Sequence, residues 1–262
     1  MLDDFSQSTF RHESFEHTVH RAGEGPGVVI MHEIPGITPQ VAEFAQRVVD
    51  AGFHAVVPEM FGTLGKPIAA GYIAGQVARA CISREFHVLA SHGSSPITVW
   101  LRALCRKVHE EQGGPGVGAL GMCLTGNFAL ALMVDPWVMA PVLSQPSLPF
   151  PLGKQRRAAL HLSEPDLKQV KERVNEGQCL LGLRFTDDPM CPPERFETLR
   201  RELGDGFEGI EIDSSKGNPH GIPRTAHSVV TTDLVDEDNH PTRAALDRVL
   251  QFFDERLRPA AT

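Results

Sequence analysis

The reactive side chain that stands out in this sequence is Cys123, inside residues 117–131, VGALGMCLTGNFALA. A thiol attacks carbonyl carbon well only after a base removes its proton. A histidine is the usual base, and a carboxylate must hold that histidine in the right tautomer. Two carboxylates compete for that role, Asp187 and Asp188, and three histidines for the base, His220, His227 and His240. An adjacent aspartate that is not the orienting one would cap a turn. The attack also creates an oxyanion, which backbone N–H groups can hold. The Leu124 N–H directly follows the nucleophile, and Ile34, in the loop Glu33-Ile34-Pro35-Gly36, is the expected second donor. Glu33 is unexpected there, because a carboxylate beside an oxyanion opposes its charge; read by itself it is as readily a surface or salt-bridged glutamate.

These groups need a scaffold that puts them on one edge. Residues 117–120 are a short apolar run, and residues 127–134 have helical spacing, so Cys123 sits at a sharp strand-to-helix turn flanked by Gly121 and Gly126. Gly27–Met31 is another apolar run between glycines and a following Pro35, the signature of a strand buried on both faces. Residues 39–51 read as a helix with Thr38 as cap, Pro39 at its first position and Gly52 after it. Residues 53–57 give the next strand, completing a βαβ unit. Strands are predicted at 138–144, 178–185 and 209–212. Helices are predicted at 96–109, 165–175, 193–203 and 241–257, the last with a stripe of Ala245, Leu246, Val249, Leu250, Phe253 and Leu257. Val19 marks an edge strand of an N-terminal hairpin, residues 76–91 a helix or cap segment, and residues 146–162 a loop.

Alternation of this kind specifies an α/β protein with an open, mostly parallel sheet covered by helices on both faces. Reactive residues then lie beyond the carboxyl ends of strands. Cys123, Asp187 or Asp188, and His227 each follow a strand, and their order of nucleophile, acid and histidine is that of the α/β-hydrolase fold.

The composition narrows the alternatives. At 262 residues, one domain over 1–262 is expected, with residues 62–115 as the stretch open to cap or lid elements. A formal charge of -8 argues against nucleic acid or an anionic membrane as partner. No apolar run approaches the roughly 18 residues of a membrane span, and the acidic start Met1-Leu2-Asp3-Asp4-Phe5 is no secretory signal. Five scattered cysteines suggest neither a disulfide framework nor a metal site, so reduced thiols and a cytoplasmic location are expected. The chain is expected to act as a monomer or small homo-oligomer, without a cofactor or metal.

Several stretches together resemble the dienelactone hydrolases, that is, carboxymethylenebutenolidase-like proteins. They are VVIMHEIPG at 28–36, AGFHAVVPEMFG at 51–62, GMCLTG at 121–126, the run Asp188-Pro189-Met190-Cys191-Pro192 and the pair His227-Ser228. The similarity runs from Gly27 to the C-terminus and is weak between Gly62 and Pro115. The resemblance implies a triad of Cys123, Asp188 and His227, the aspartate-proline spacing selecting Asp188. It implies an oxyanion hole from Leu124 and Ile34, and a Glu33 that interacts with the resting thiol and moves when substrate binds. The implied reaction is cofactor-free hydrolysis of a small ester or enol-lactone through a thioester.

Three departures bear on the substrate. Thr125 stands where the family has glycine, which predicts a slightly opened helix–strand approach. Thr231 stands where well-studied members carry an arginine for a substrate carboxylate, a task for which Arg79 and Arg84 are candidates here. The segments 146–163 and 213–218 are expanded. Two other readings of the cysteine compete: a non-catalytic ligand-binding protein on a hydrolase fold, and a redox-responsive protein pairing Cys123 with Cys191.

Overall fold

The computed structural model describes residues 2–66, 69–82 and 95–258. The strands are β1 (Ser6–His12), β2 (Phe15–Ala22), β3 (Gly27–Met31), β4 (His54–Pro58), β5 (Val117–Met122), β6 (Val138–Ser144), β7 (Leu180–Phe185) and β8 (Phe207–Ile212). They form one sheet in the order β1-β2-β4-β3-β5-β6-β7-β8. The β1–β2 and β2–β4 pairs are antiparallel, and all others are parallel. The parallel register sets Met31 beside Gly121, Met122 beside Ser144, and Ser144 beside Leu183. The ends of β3, β5, β6 and β7 therefore share one edge, where the loops carrying Ile34, Cys123, Gln145 and Asp188 emerge.

The helices are α1 (Pro39–Asp50), α2 (Ala70–Ile82), α3 (Ile97–Gln112), α4 (Gly126–Leu132), α5 (Gly153–Ala158), α6 (Glu164–Asn175), α7 (Pro193–Leu203) and α8 (Pro241–Leu257). Successive strand residues point to opposite faces. Val28, Ile30, Leu120 and Met122 pack on α1 and α8 through Phe44, Val48, Val249 and Phe253. Val29, Met31 and Ala119 pack on the other face against α3 and α4 through Trp100, Leu104 and Phe128. Burying side chains of this size stabilises the fold by about 1.5–3 kcal/mol each. The predicted α1 cap is present, with Thr38 Oγ1 accepting the Val41 N–H at 3.3 Å. Ser163 caps α6 in the same way, accepting the Asp166 N–H at 3.2 Å.

Differences from the sequence reading occur where patterning is thin. The N-terminal hairpin has two full strands, β1 being mostly exposed and polar, so no apolar alternation marks it. Residues 153–158 form α5 within the expected loop; none of its residues is buried, so it leaves no hydrophobic stripe to detect. On α8, Phe252 is buried where Leu250 was expected, and Leu250 lies at the border. In the 62–91 region, residues 70–82 are helical; residues 67–68 and 83–94, with Arg84, lie outside the described residues. No helix among the described residues is long and apolar enough to cross a membrane.

Candidate active site

Cys123 ends up at a turn that the backbone accepts reluctantly. It has φ 53°, left-handed for a side-chain-bearing residue, which costs on the order of 1–3 kcal/mol and holds only where the surroundings enforce it. Those surroundings are close. A Cβ on Gly121 would stand 2.2 Å from Thr125 O, and one on Gly126 would stand 2.6 Å from Pro146 Cα, so both positions require glycine. Residues Cys123–Thr125 make one 3₁₀ turn before α4. The Cys123 carbonyl accepts the Ser147 N–H at 2.9 Å, which locks the loop after β6 over the turn.

Thr125 does not open the helix–strand approach as expected. Its hydroxyl is wholly buried and accepts the Met122 N–H at 2.9 Å. It lies 2.8 Å from Met31 O, to which it donates. The extra atoms knit the turn to the end of β3.

The loop after β7 carries the adjacent aspartates, and the structure separates them. Asp187 is half-buried, its Oδ2 accepting from the exposed Arg224 through Nε at 2.6 Å. Asp188 is buried; its Oδ1 accepts the Met190 N–H at 2.9 Å, and its Oδ2 lies 2.7 Å from His227 Nδ1. The other histidines are elsewhere: His240 caps α8, accepting the Thr242 N–H at 3.3 Å through Nδ1, and His220 lies against the His240 ring. The His227 loop is held by Asp233, whose Oδ2 accepts both the His227 and Ser228 N–H groups at 2.8 Å. Sequence reasoning passed over Asp233, whose only signal is a carboxylate six residues after the histidine.

The His227 Nε2 atom is buried and has no hydrogen-bond partner among the described residues. Burial works against a charged His227. The electrostatic pull of the Cys123 sulfur and the hydrogen bond donated to Asp188 outweigh it, so the imidazole pKa is held well above its ordinary range. The structure thus brings Cys123, His227 and Asp188 together, with Nδ1 bonded to the carboxylate and the Cys123 side chain close enough to bias the imidazole charge. Neither the Leu124 nor the Ile34 N–H is spent on a turn or loop hydrogen bond among the described residues.

Glu33 is neither at the surface nor in a salt bridge among the described residues. Its buried carboxylate accepts from Ser228 Oγ at 2.7 Å, from Thr231 Oγ1, and from Gln145 Nε2 at 3.2 Å. Thr231, where the resemblance led to the expectation of an arginine, spends its hydroxyl on Glu33. No hydrogen bond joins Glu33 to Cys123 among the described residues. Gln145, with φ 36°, had no sequence signal. Arg79 is exposed on α2.

Arg195 was also missed. It is fully buried at the start of α7, and its guanidinium donates to Pro146 O at 2.6 Å, Pro149 O at 2.7 Å, and Ala159 O and Arg156 O at 3.0 Å. Burial pulls its pKa down to about 10. Four carbonyls on one cation fix the loop that crosses the Cys123 turn.

A family profile described as "Dienelactone hydrolase family" matches residues 15–257. A Saccharomyces cerevisiae protein assigned as a carboxymethylenebutenolidase is 24% identical over 242 residues, covering 89% of this chain and 81% of that protein. The crystal structure of dienelactone hydrolase from Anabaena variabilis superposes with TM-score 0.61 at 12% identity, over 97% of this chain and 100% of the other. A Klebsiella pneumoniae structure assigned as a dienelactone hydrolase gives 0.62 at 15%, over 96% and 98%. The architecture is the α/β-hydrolase fold.

Proposed function

This chain belongs to the dienelactone hydrolase family, and we propose that it hydrolyses a small ester or lactone through a thioester on Cys123. The observation that carries the proposal is His227 set between two groups: Asp188 Oδ2 lies 2.7 Å from Nδ1, and Cys123 is close enough to raise the imidazole pKa.

His227 takes the thiol proton at Nε2, and the sulfur adds to the substrate carbonyl carbon. Leu124 and Ile34 N–H groups hold the resulting oxyanion. The oxyanion collapses, the carbon–oxygen ester bond breaks, and the departing oxygen takes the proton from His227. In a lactone this oxygen stays attached to the acyl chain. His227 then deprotonates a water, the hydroxide adds to the thioester, and the acid leaves as sulfur regains its proton. Asp188 keeps Nδ1 protonated throughout and stabilises the imidazolium.

Glu33 acts on the thiol through charge. Both of its oxygens are engaged by Ser228, Thr231 and Gln145, so it acts without a hydrogen bond to the sulfur. A redox pair with Cys191 is disfavoured: that thiol is fully buried, and burial pushes its pKa up to about 12, so its reactive form is suppressed.

The test is hydrolysis of small activated esters by the wild-type protein and Cys123→Ala. Loss of turnover in the variant, with acyl label on Cys123 in the wild type, is expected; equal rates in both would remove Cys123 from the mechanism.

A further inference from the structure

We propose that His32 is the positioning residue that aims the Ile34 N–H at the oxyanion, an inference that rests on acyl transfer at Cys123. His32 follows the last residue of β3 and is wholly buried. Both of its ring nitrogens are used. Nε2 lies 3.1 Å from the Met60 backbone N, and a backbone N–H can only donate, so Nε2 is the unprotonated nitrogen. The ring proton therefore sits on Nδ1, which donates to Glu33 O at 3.1 Å. The same oxygen accepts the Gly36 N–H at 2.9 Å.

Glu33 O and the Ile34 N–H belong to one peptide group. That group is planar and trans, so its carbonyl and N–H point in opposite directions. Two donors on the Glu33 oxygen therefore fix the direction of the Ile34 N–H. The Phe61 ring packs edge-on against the imidazole, 4.4 Å between centroids, and holds it in place. Thr125 adds the second reference point. Its hydroxyl bonds Met31 O, next to His32, while its own turn carries Leu124. The two oxyanion donors are thereby held relative to each other through β3 and not merely each on its own loop. Burial keeps His32 neutral, its pKa down at about 4, so the tautomer that makes both bonds persists across the working range.

The experiment compares two reactions of one sulfur. An activated ester acylates Cys123 through a tetrahedral oxyanion, releasing its alcohol. Iodoacetamide alkylates the same sulfur by displacing iodide, with no oxyanion. His32→Gln supplies a carbonyl toward Met60 N–H but no donor to Glu33 O, whereas the amide nitrogen of His32→Asn reaches the place of Nδ1. In His32→Gln, acylation should slow at least about tenfold, toward the 10²–10³ that losing an oxyanion donor costs, while alkylation stays within about twofold. His32→Asn should return the acylation-to-alkylation ratio to near wild type. Equal slowing of both reactions in His32→Gln, or no slowing of acylation, would overturn the proposal. If His32→Gln does not fold, His32→Asn alone decides, because loss of acylation with retained alkylation there contradicts the assignment. A wild-type protein that alkylates at Cys123 yet takes no acyl group would instead sink the proposed function.

Discussion

Replacing Asp188 by asparagine tests how the base is held. Asp188 accepts on both oxygens, from the Met190 N–H at 2.9 Å and from His227 Nδ1 at 2.7 Å. In the variant the Met190 N–H still requires an acceptor, so the amide oxygen takes the Oδ1 place. The NH₂ group then faces Nδ1, which must become an acceptor. The imidazole proton moves to Nε2, and the base meets the thiol already protonated. A wrong tautomer of this kind costs about 10⁴ in kcat in the serine triad, or roughly 5.4 kcal/mol at 1.36 kcal/mol per tenfold. Flipping the amide restores the tautomer but leaves the Met190 N–H facing NH₂, at a cost of about 1–3 kcal/mol, so a tenfold to hundredfold loss is the floor. Asp188→Asn should therefore lose about 10–10⁴ in kcat/KM for an activated ester, with an unchanged circular dichroism spectrum. Asp187→Asn gives the control, because it breaks only an exposed ion pair with Arg224, worth about 0–1 kcal/mol, and its turnover should stay within about twofold. A slow Asp187→Asn beside a normal Asp188→Asn would refute the reasoning.

Two further predictions concern stability. Gly121→Ala places a Cβ 2.2 Å from Thr125 O, a backbone atom that cannot move without opening the Cys123 turn; a loss of about 3 kcal/mol is expected, roughly 6–12 °C in Tm, and an unchanged melting curve would contradict the close approach. His32 stays neutral in the fold down to about pH 4, whereas in the unfolded chain it takes a proton near about 6.5. Between those values the unfolded state binds the extra proton, so stability falls as pH falls, by roughly 3 kcal/mol over the window. The stability advantage of wild type over His32→Gln in urea unfolding should shrink from pH 7 to pH 5, and a constant difference would show that His32 is not the group being titrated.

Local chemistry made the scaffold legible. The continuous apolar runs of β3 and β5 can only be strands covered on both faces, and the Thr38-Pro39 start of α1 has one low-energy reading. A cysteine between Gly121 and Gly126 needs the sharp turn that the structure shows, because those glycines leave room for nothing else. The order of cysteine, aspartates and histidine along a parallel sheet was likewise visible, since parallel strands deliver successive loops to one edge. From the residues alone, however, Asp187 and Asp188 were equivalent neighbours; the pairing of one with Arg224 and of the other with His227 comes from where the 222–233 segment passes. Glu33 is bonded to Ser228 and Thr231 nearly two hundred residues away, and Arg195 holds carbonyls of a loop some forty residues before it. Such polar closures have no period and no spacing, because they depend on which buried donors and acceptors the finished packing leaves facing one another. The same holds at Cys123: the sequence determined that a thiol would stand on a sharp turn, while only the tertiary structure decided its strain and which groups surround it.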